Sequence, residues 1–376
     1  MSGQMPDRYR RRLLTHEVIE GIDHHWVWSP GDIHRNRTRR AFNYIWFATV
    51  AALRAATLPR PDVLLISSPP LTVAPLGPFL AWRFRRPWLL EVRDIWPESA
   101  VSVGWLRPEG GVYRMLERLA HYTTRSADLV LVPTPGLEPL VRAHGAQTVV
   151  TLTGAVVSHP VDAAKRVAIR SRLGIGDDEC LFLYLGAIGM ANGLDRLLEA
   201  IMLVPPDVPA RVVIAGDGSA RPALVRALKA EGLERVALLS TLPRNDVDDL
   251  LGAADVGLHL LRPDPVFESA LPSKVLDYLG ARLPFITTVE GLPRQIALES
   301  GGAAATSPAE LASEVARWST KTPQERRRRG EQALAYGLRE FGLEAKIAQL
   351  EGVLNNLFDD RSGAAHALGI DKRTSA

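Results

Sequence analysis

Short apolar runs alternate with helix-patterned segments along almost all of this 376-residue chain, and that alternation most constrains its fold. Runs rich in Val, Ile and Leu suit strands buried on both faces of a parallel sheet. In the first half they fall at Val27-Trp28, Val63 to Ile66, Trp88 to Val92, Leu129 to Val132 and Val149 to Leu152. In the second half they fall at Leu181 to Leu185, Val212 to Ala215, Val236 to Leu239, Val256 to Leu260 and Phe285 to Thr288. Spaced apolar residues between them predict helices over Arg40 to Ala55, Val112 to Ala127, Leu194 to Met202, Arg221 to Glu231, Asn245 to Ala253, Ser273 to Ala281 and Pro308 to Trp318. Strand and helix in alternation imply a doubly wound α/β architecture. The pattern restarts after residues 158–170, which predicts two such domains, residues 1–160 and 161–341, with a linker near Ser158 to Ala164. Gly342 to Phe358 reads as an amphipathic helix, and residues 360–376, without apolar periodicity, as a disordered tail. A doubly wound domain usually opens on a strand, a Gly-containing turn and a helix. This chain opens on a polar, Arg-rich stretch, so the first domain reads as lacking its opening βα unit.

A content of 46% hydrophobic and 23% charged residues is that of a globular protein, and a formal charge of +3 is too small to argue for nucleic acid. The basic residues are clustered, however: Arg8, Arg10, Arg11 and Arg12, then Arg35, Arg37, Arg39 and Arg40, then Arg83, Arg85 and Arg86. They suit either a solvated face or a surface that meets anionic lipid head groups or a lipid-linked phosphate. Cys180 is the only cysteine, which excludes a disulfide framework and fits a cytoplasmic protein. The nine histidines show no paired ligand spacing, and no metal site is assigned. Val63 to Trp82 is uncharged and long enough to span a bilayer, but Pro69, Pro70, Pro75 and Pro78 would break a spanning helix. It reads instead as a strand, a Ser-Ser-Pro-Pro turn and a helix.

Three motifs lie where strands should end, and a fourth opens a helix. Arg93-Asp94-Ile95-Trp96-Pro97-Glu98-Ser99 follows the strand Trp88 to Val92, at the carboxyl edge where open α/β sheets bind ligands. It suits a site or a plain loop ion pair with a buried Trp. Gly186, Gly189 and Gly193 follow Leu185, and Gly216 and Gly218 follow Ala215. Glycine turns leading into helices admit a phosphate, although an ordinary tight turn has the same composition. Pro272-Ser273-Lys274 opens a helix, and Asp277 lies one turn along from Ser273. A lysine in the first turn is electrostatically misplaced unless an anion is near, and a pyrophosphate would supply that anion.

Together these residues resemble the family-4 retaining glycosyltransferases, closest to the WbuB/WcaI-like branch that builds surface polysaccharides. The resemblance is carried by Leu90 to Ser99, Ser67-Ser68-Pro69-Pro70, Pro243-Arg244, Ala253 to Gly257, Pro272-Ser273-Lys274 and Glu290-Gly291, and it covers about residues 20 to 355. It implies a GT-B fold, with two Rossmann-like domains facing across a cleft, no essential metal or cofactor, and a C-terminal helix crossing back to the first domain. The first domain is then the acceptor side and the second the nucleotide-sugar side. By motif, Gly186 and Gly189 line the donor loop, Gly216 and Gly218 approach the nucleotide, and Ser273 and Lys274 face the pyrophosphate. Asp277 stands where a ribose-holding Glu is usual, and Asp94, beside Arg93, stands on the acceptor side. The chain departs from the pattern at Ser269, where the first of two paired glutamates is expected and Glu268 is one residue off. It departs also at Met190, in a position that commonly carries Arg, and at Ser158-His159-Pro160.

The expected function is metal-independent transfer, with retention, of a hexosyl or N-acetylhexosaminyl group from a nucleotide diphosphate, expected to be UDP, to a glycan or lipid-linked acceptor. The departures and the missing opening unit motivate a second reading, a non-catalytic nucleotide-sugar or partner-binding relic. A sugar-nucleotide epimerase shares the architecture but needs acid/base residues that the sequence does not supply.

Overall fold

The computed structural model describes residues 12–30, 37–102 and 105–367. The chain divides into two compact units, one made of residues up to Leu152 together with those from Leu357 onward, the other of Thr153–Asn356.

The first unit opens on an antiparallel hairpin, β1 (Leu14–Ile19) and β2 (Ile22–Val27), with Leu14 opposite Val27. Its turn, Glu20-Gly21, has positive φ at both residues, the geometry that matches the twist of a two-residue hairpin. Val27 therefore pairs with Leu14, and the expected parallel strand at Val27-Trp28 is not formed; the turn at Glu20-Gly21 folds this segment onto its own upstream neighbour. The parallel sheet is β3 (Leu64–Ser68), β4 (Trp88–Val92), β5 (Leu129–Val132) and β6 (Val149–Thr151), in that spatial order. Val63 to Trp82 resolves into β3, a turn with cis Ser68–Pro69 and Pro69–Pro70 bonds, a short 3-10 turn and the helix Leu76–Phe84. That helix lies close on β4 because Gly77 has no side chain, and a Cβ there would fall 2.1 Å from the Trp88 ring. The buried Trp88 indole donates to Ser126 O at 2.8 Å, which ties the start of β4 to the helix Gly111–Ser126.

The second unit holds β7 (Cys180–Leu185), β8 (Ala210–Ala215), β9 (Val236–Leu239), β10 (Val256–His259), β11 (Phe285–Thr287) and β12 (Ala303–Ala304). Their order is β12-β11-β10-β7-β8-β9, all parallel. Every residue of β7 is buried, as an apolar run covered by helices on both faces should be. From β7 the chain winds outward through β8 and β9, then returns to place β10 on the other side of β7. The strand order thus reverses between β7 and β10, and ligands bind at such a reversal, beyond the carboxyl ends of the strands. At the opposite edge Asp255, which precedes β10, accepts from Arg166 at 2.6 Å and Arg170 at 3.0 Å, and from Leu181 N at 2.8 Å. Arg326 lies 3.7 Å away, so one carboxylate ties the helices Ala163–Arg172 and Pro323–Phe341 to the starts of β7 and β10.

The last helix runs Leu343–Ala367. It takes in residues 360–367, expected to be disordered, because an Ala-containing stretch continues a helix already nucleated upstream without needing an apolar stripe. Residues 368–376 lie outside the described residues, as do Arg8, Arg10, Arg11 and Arg35 of the basic clusters. Arg85 and Arg86 end the helix Leu76–Phe84: Arg85 is its left-handed cap, and Arg86 meets Asp62 at 3.3 Å. Among the described residues no helix is long and apolar enough to cross a membrane.

Candidate functional site

In the second unit the predicted donor residues converge at the strand reversal. Gly186 leaves β7 with φ +130, and Gly216 leaves β8 with φ +152. The two turns pack backbone to backbone: a Cβ on Gly216 would lie 1.8 Å from Gly186 O, and one on Gly218 would lie 2.4 Å from Ile188 O. The close approach that requires glycine at 216 and 218 is thus to the neighbouring turn of the same chain. Ile188 N donates to Asp217 O at 2.8 Å, and Gly189 N to Asn192 Oδ1 at 3.0 Å, so the loop after β7 is held from the β8 side and from within.

The helix Ser273–Gly280 starts beside this pair of turns, after Pro272, with no side-chain cap. Ser273 is exposed and does not cap it, which leaves the first-turn N–H groups and their partial positive charge without a carboxylate or hydroxyl from this position. Lys274 reaches back over the end of β7. Its Nζ lies 4.2 Å from the centre of the Tyr184 ring, and a Cβ on Gly186 would be 3.1 Å from it. Among the described residues it makes no hydrogen bond or ion pair, and the face of the Tyr184 ring lies against its charge. Burial pushes its pKa from 10.5 down to about 8. Below it, His259 is fully buried, with Nδ1 2.9 Å from Thr287 Oγ1. Burial first, and the Lys274 charge second, push the imidazole down to about 3, so it stays neutral. Asp277 is half-buried on the same helix and already has a partner, since Arg244 Nη2 donates to its Oδ1 at 3.2 Å.

In the first unit the Arg93–Ser99 run leaves the carboxyl end of β4. Arg93 N donates to Ser68 O at 2.9 Å, and the Ser67 hydroxyl to Glu91, so the loop is tied to the Ser-Ser-Pro-Pro turn. Ile95 is buried, and Trp96 packs on Trp105 with ring centres 6.4 Å apart. Arg93 and Asp94 stay at the surface. Desolvation on its inner side raises the Asp94 pKa, with the Arg93 charge opposing. Glu98 does not join Asp94: its Oε1 lies 3.1 Å from Nε2 of the nearly buried His144, a strut to the end of the helix Glu138–Ala143. Burial of Glu98 opposes ionisation, but the His144 hydrogen bond and charge outweigh it and lower its pKa. Tyr184 and His144 were not nominated from sequence, and Arg244 was named only as part of a motif without a role, because each acts through a partner brought near only by the fold.

Comparison with known proteins agrees with this geometry. The model of the Glycosyl transferase 4-like domain matches residues 5–155, and that of Glycosyl transferases group 1 matches residues 179–321. The probable glycosyltransferase WbjE of Pseudomonas aeruginosa is 28% identical over 242 residues, 61% of this chain and 58% of WbjE. The lipopolysaccharide glucosyltransferase WaaG of Escherichia coli is 29% identical over 123 residues, 33% of this chain and 32% of WaaG. The chain thus spans less than two-thirds of the length of these relatives. Among solved structures, a WaaG structure aligns with TM-score 0.61 and 21% identity over 86% of this chain and 85% of that one. HepE of Anabaena aligns with TM-score 0.66 and 16% identity over 82% and 81%. The chain is a GT-B protein that carries a glycosyl transferase 4-like domain followed by a group 1 glycosyl transferase domain.

Proposed function

We propose that this protein is a metal-independent retaining glycosyltransferase of the WbuB/WcaI-like branch. In this reading it moves a hexosyl or N-acetylhexosaminyl group from a UDP-sugar to a glycan or lipid-linked acceptor in surface polysaccharide synthesis. The observation that carries the reading is Lys274: a half-buried ammonium without an anion, above a glycine turn and beside an uncapped helix start, at the reversal of strand order. A diphosphate would satisfy both positive groups at once. As the glycosidic bond breaks and charge grows on the diphosphate, the same two groups stabilise it. Attack from the face the leaving group departs needs no strong protein base, so Asp94 orients the acceptor hydroxyl, with Arg93 beside it. Ser273, Gly186 and Gly189 line the diphosphate, Gly216 and Gly218 the nucleotide, and Asp277 the ribose, sharing its carboxylate with Arg244. HepE has been seen with UDP and glucose, which supports a UDP-sugar donor, and WaaG acts in lipopolysaccharide biosynthesis, which supports a lipid-linked or glycan acceptor. A cytoplasmic protein with a peripheral contact at the inner face of the membrane fits such an acceptor.

Lys274→Ala is expected to lower sugar transfer by about two orders of magnitude. It would be assayed with UDP-sugars against a panel of glycan and lipid-phosphate acceptors. Transfer unchanged in that variant sinks the reading. Tight UDP binding by the native chain without transfer to any acceptor would favour the non-catalytic relic.

A further inference from the structure

We propose that Arg262 is the positioning residue that sets the donor loop after β7, a role that rests on the nucleotide-sugar reading above. The loop lies between two walls. On the β8 side it is held by backbone: Gly186 N to Ala215 O at 3.0 Å and Ile188 N to Asp217 O at 2.8 Å. On the β10 side, among the described residues, it is held by Arg262. Arg262 N donates to Ala191 O at 2.8 Å, its Nε to Met190 O at 2.9 Å, and its Nη2 to Asp195 Oδ2 at 2.6 Å. Arg262 is itself fixed, because Thr288, just past β11, clamps the residue before it: the Thr288 hydroxyl accepts from Leu261 N at 3.1 Å and donates to Leu261 O at 2.9 Å.

The brace therefore runs from β11 through the end of β10 to the loop of β7, across the reversal of strand order. A planar guanidinium bonds a carbonyl and a carboxylate in two fixed directions at once, whereas an ammonium carries its three donors on a flexible stem and fixes neither direction. Met190 lacks a cation of its own, and the Arg262 guanidinium, from the segment after β10, meets its carbonyl while paired with Asp195. The two walls differ in kind: the backbone bonds on the β8 side do not involve the side chain at 262, whereas two of the three bonds on the β10 side vanish with the guanidinium. Loosening the loop makes its ordering a cost of donor binding.

The test compares native protein with Arg262→Gln, Arg262→Lys and Asp195→Asn. It uses UDP calorimetry, amide hydrogen exchange over residues 186–195, and KM for donor and acceptor separately. Arg262→Gln is expected to weaken UDP binding and raise donor KM by about tenfold. Exchange should accelerate at residues 189–193, with acceptor KM and the melting temperature unchanged. Arg262→Lys and Asp195→Asn, each keeping part of the brace, should fall between. Native UDP affinity and native exchange at 189–193 in Arg262→Gln overturn the proposal, as does a loss of kcat with donor KM unmoved. If Arg262→Gln does not fold, native loop exchange in both milder variants overturns it instead. A native protein that binds no UDP defeats the transferase reading alone, because the exchange measurement still reads the brace.

Discussion

Lys274 and Asp94 carry opposite charges that burial disfavours alike, and each gives a measurable consequence. The Lys274 pKa lies near 8 in the folded chain against 10.5 in the unfolded. Between those values the unfolded chain holds a proton that the folded chain has lost, so ligand-free stability contributed by this group rises with pH across that window. A bound diphosphate favours the ammonium and reverses the preference. UDP affinity is therefore expected to fall by about fivefold to tenfold from about pH 7 to about pH 9. The same titration of Lys274→Met should lack that component, and a matching slope in the variant would exclude Lys274 as its source. For Asp94 the raised pKa marks a carboxylate held against its own solvation. Asp94→Asn is expected to lower transfer by about 100-fold through loss of acceptor orientation while leaving stability level or slightly higher. Kinetics and urea unfolding of the same preparation check both halves.

At the scale of elements, the two glycine turns after β7 and β8 behave as one interlocked piece. Gly216→Ala places a methyl group 1.8 Å from Gly186 O, against backbone that cannot rotate away. The expected loss of stability is about 3 kcal/mol, at the upper end of overpacking, with UDP affinity reduced as the Gly186 turn is displaced; chemical unfolding and calorimetry measure the two. These turns and the strands before them were legible in sequence for a physical reason. A parallel strand covered on both faces is apolar along its length, as β5 and β7 are and as β4 is but for the half-buried Glu91. The hairpin β1–β2 was not legible: its residues are half-buried or exposed, its apolar and polar positions are mixed, and its turn is Glu-Gly rather than a more diagnostic pair. β12, at two residues, is too short to carry a period. Short helices such as Glu98–Ser102 escape for the same reason.

At the scale of the whole molecule, the second unit is closed around a buried ionic knot. Asp255, Arg170 and Arg326 are 7%, 3% and 3% exposed, and the carboxylate faces three guanidinium groups. Asp255→Ala leaves those charges buried and unpaired, and is expected to cost about 3–5 kcal/mol. A thermal melt of the intact protein should show the transition of this unit moved down, and an unmoved melt would show the knot to be dispensable. Asp255 was recognisable as part of a motif, but its partners lie 89, 85 and 71 residues away along the chain. Sequence by itself determined the α/β class, most of the parallel strands, the strand-end positions of Asp94, Gly186 and Gly216 and the helix-start position of Lys274, because burial on both faces and helix-start chemistry are local properties written in consecutive residues. Only the tertiary structure decided that Lys274 lies over Tyr184, that Arg244 shares Asp277, and that Arg262 bonds the loop after β7. Those pairings depend on which strand returns beside β7, and no local pattern encodes the order in which strands are laid down in a sheet.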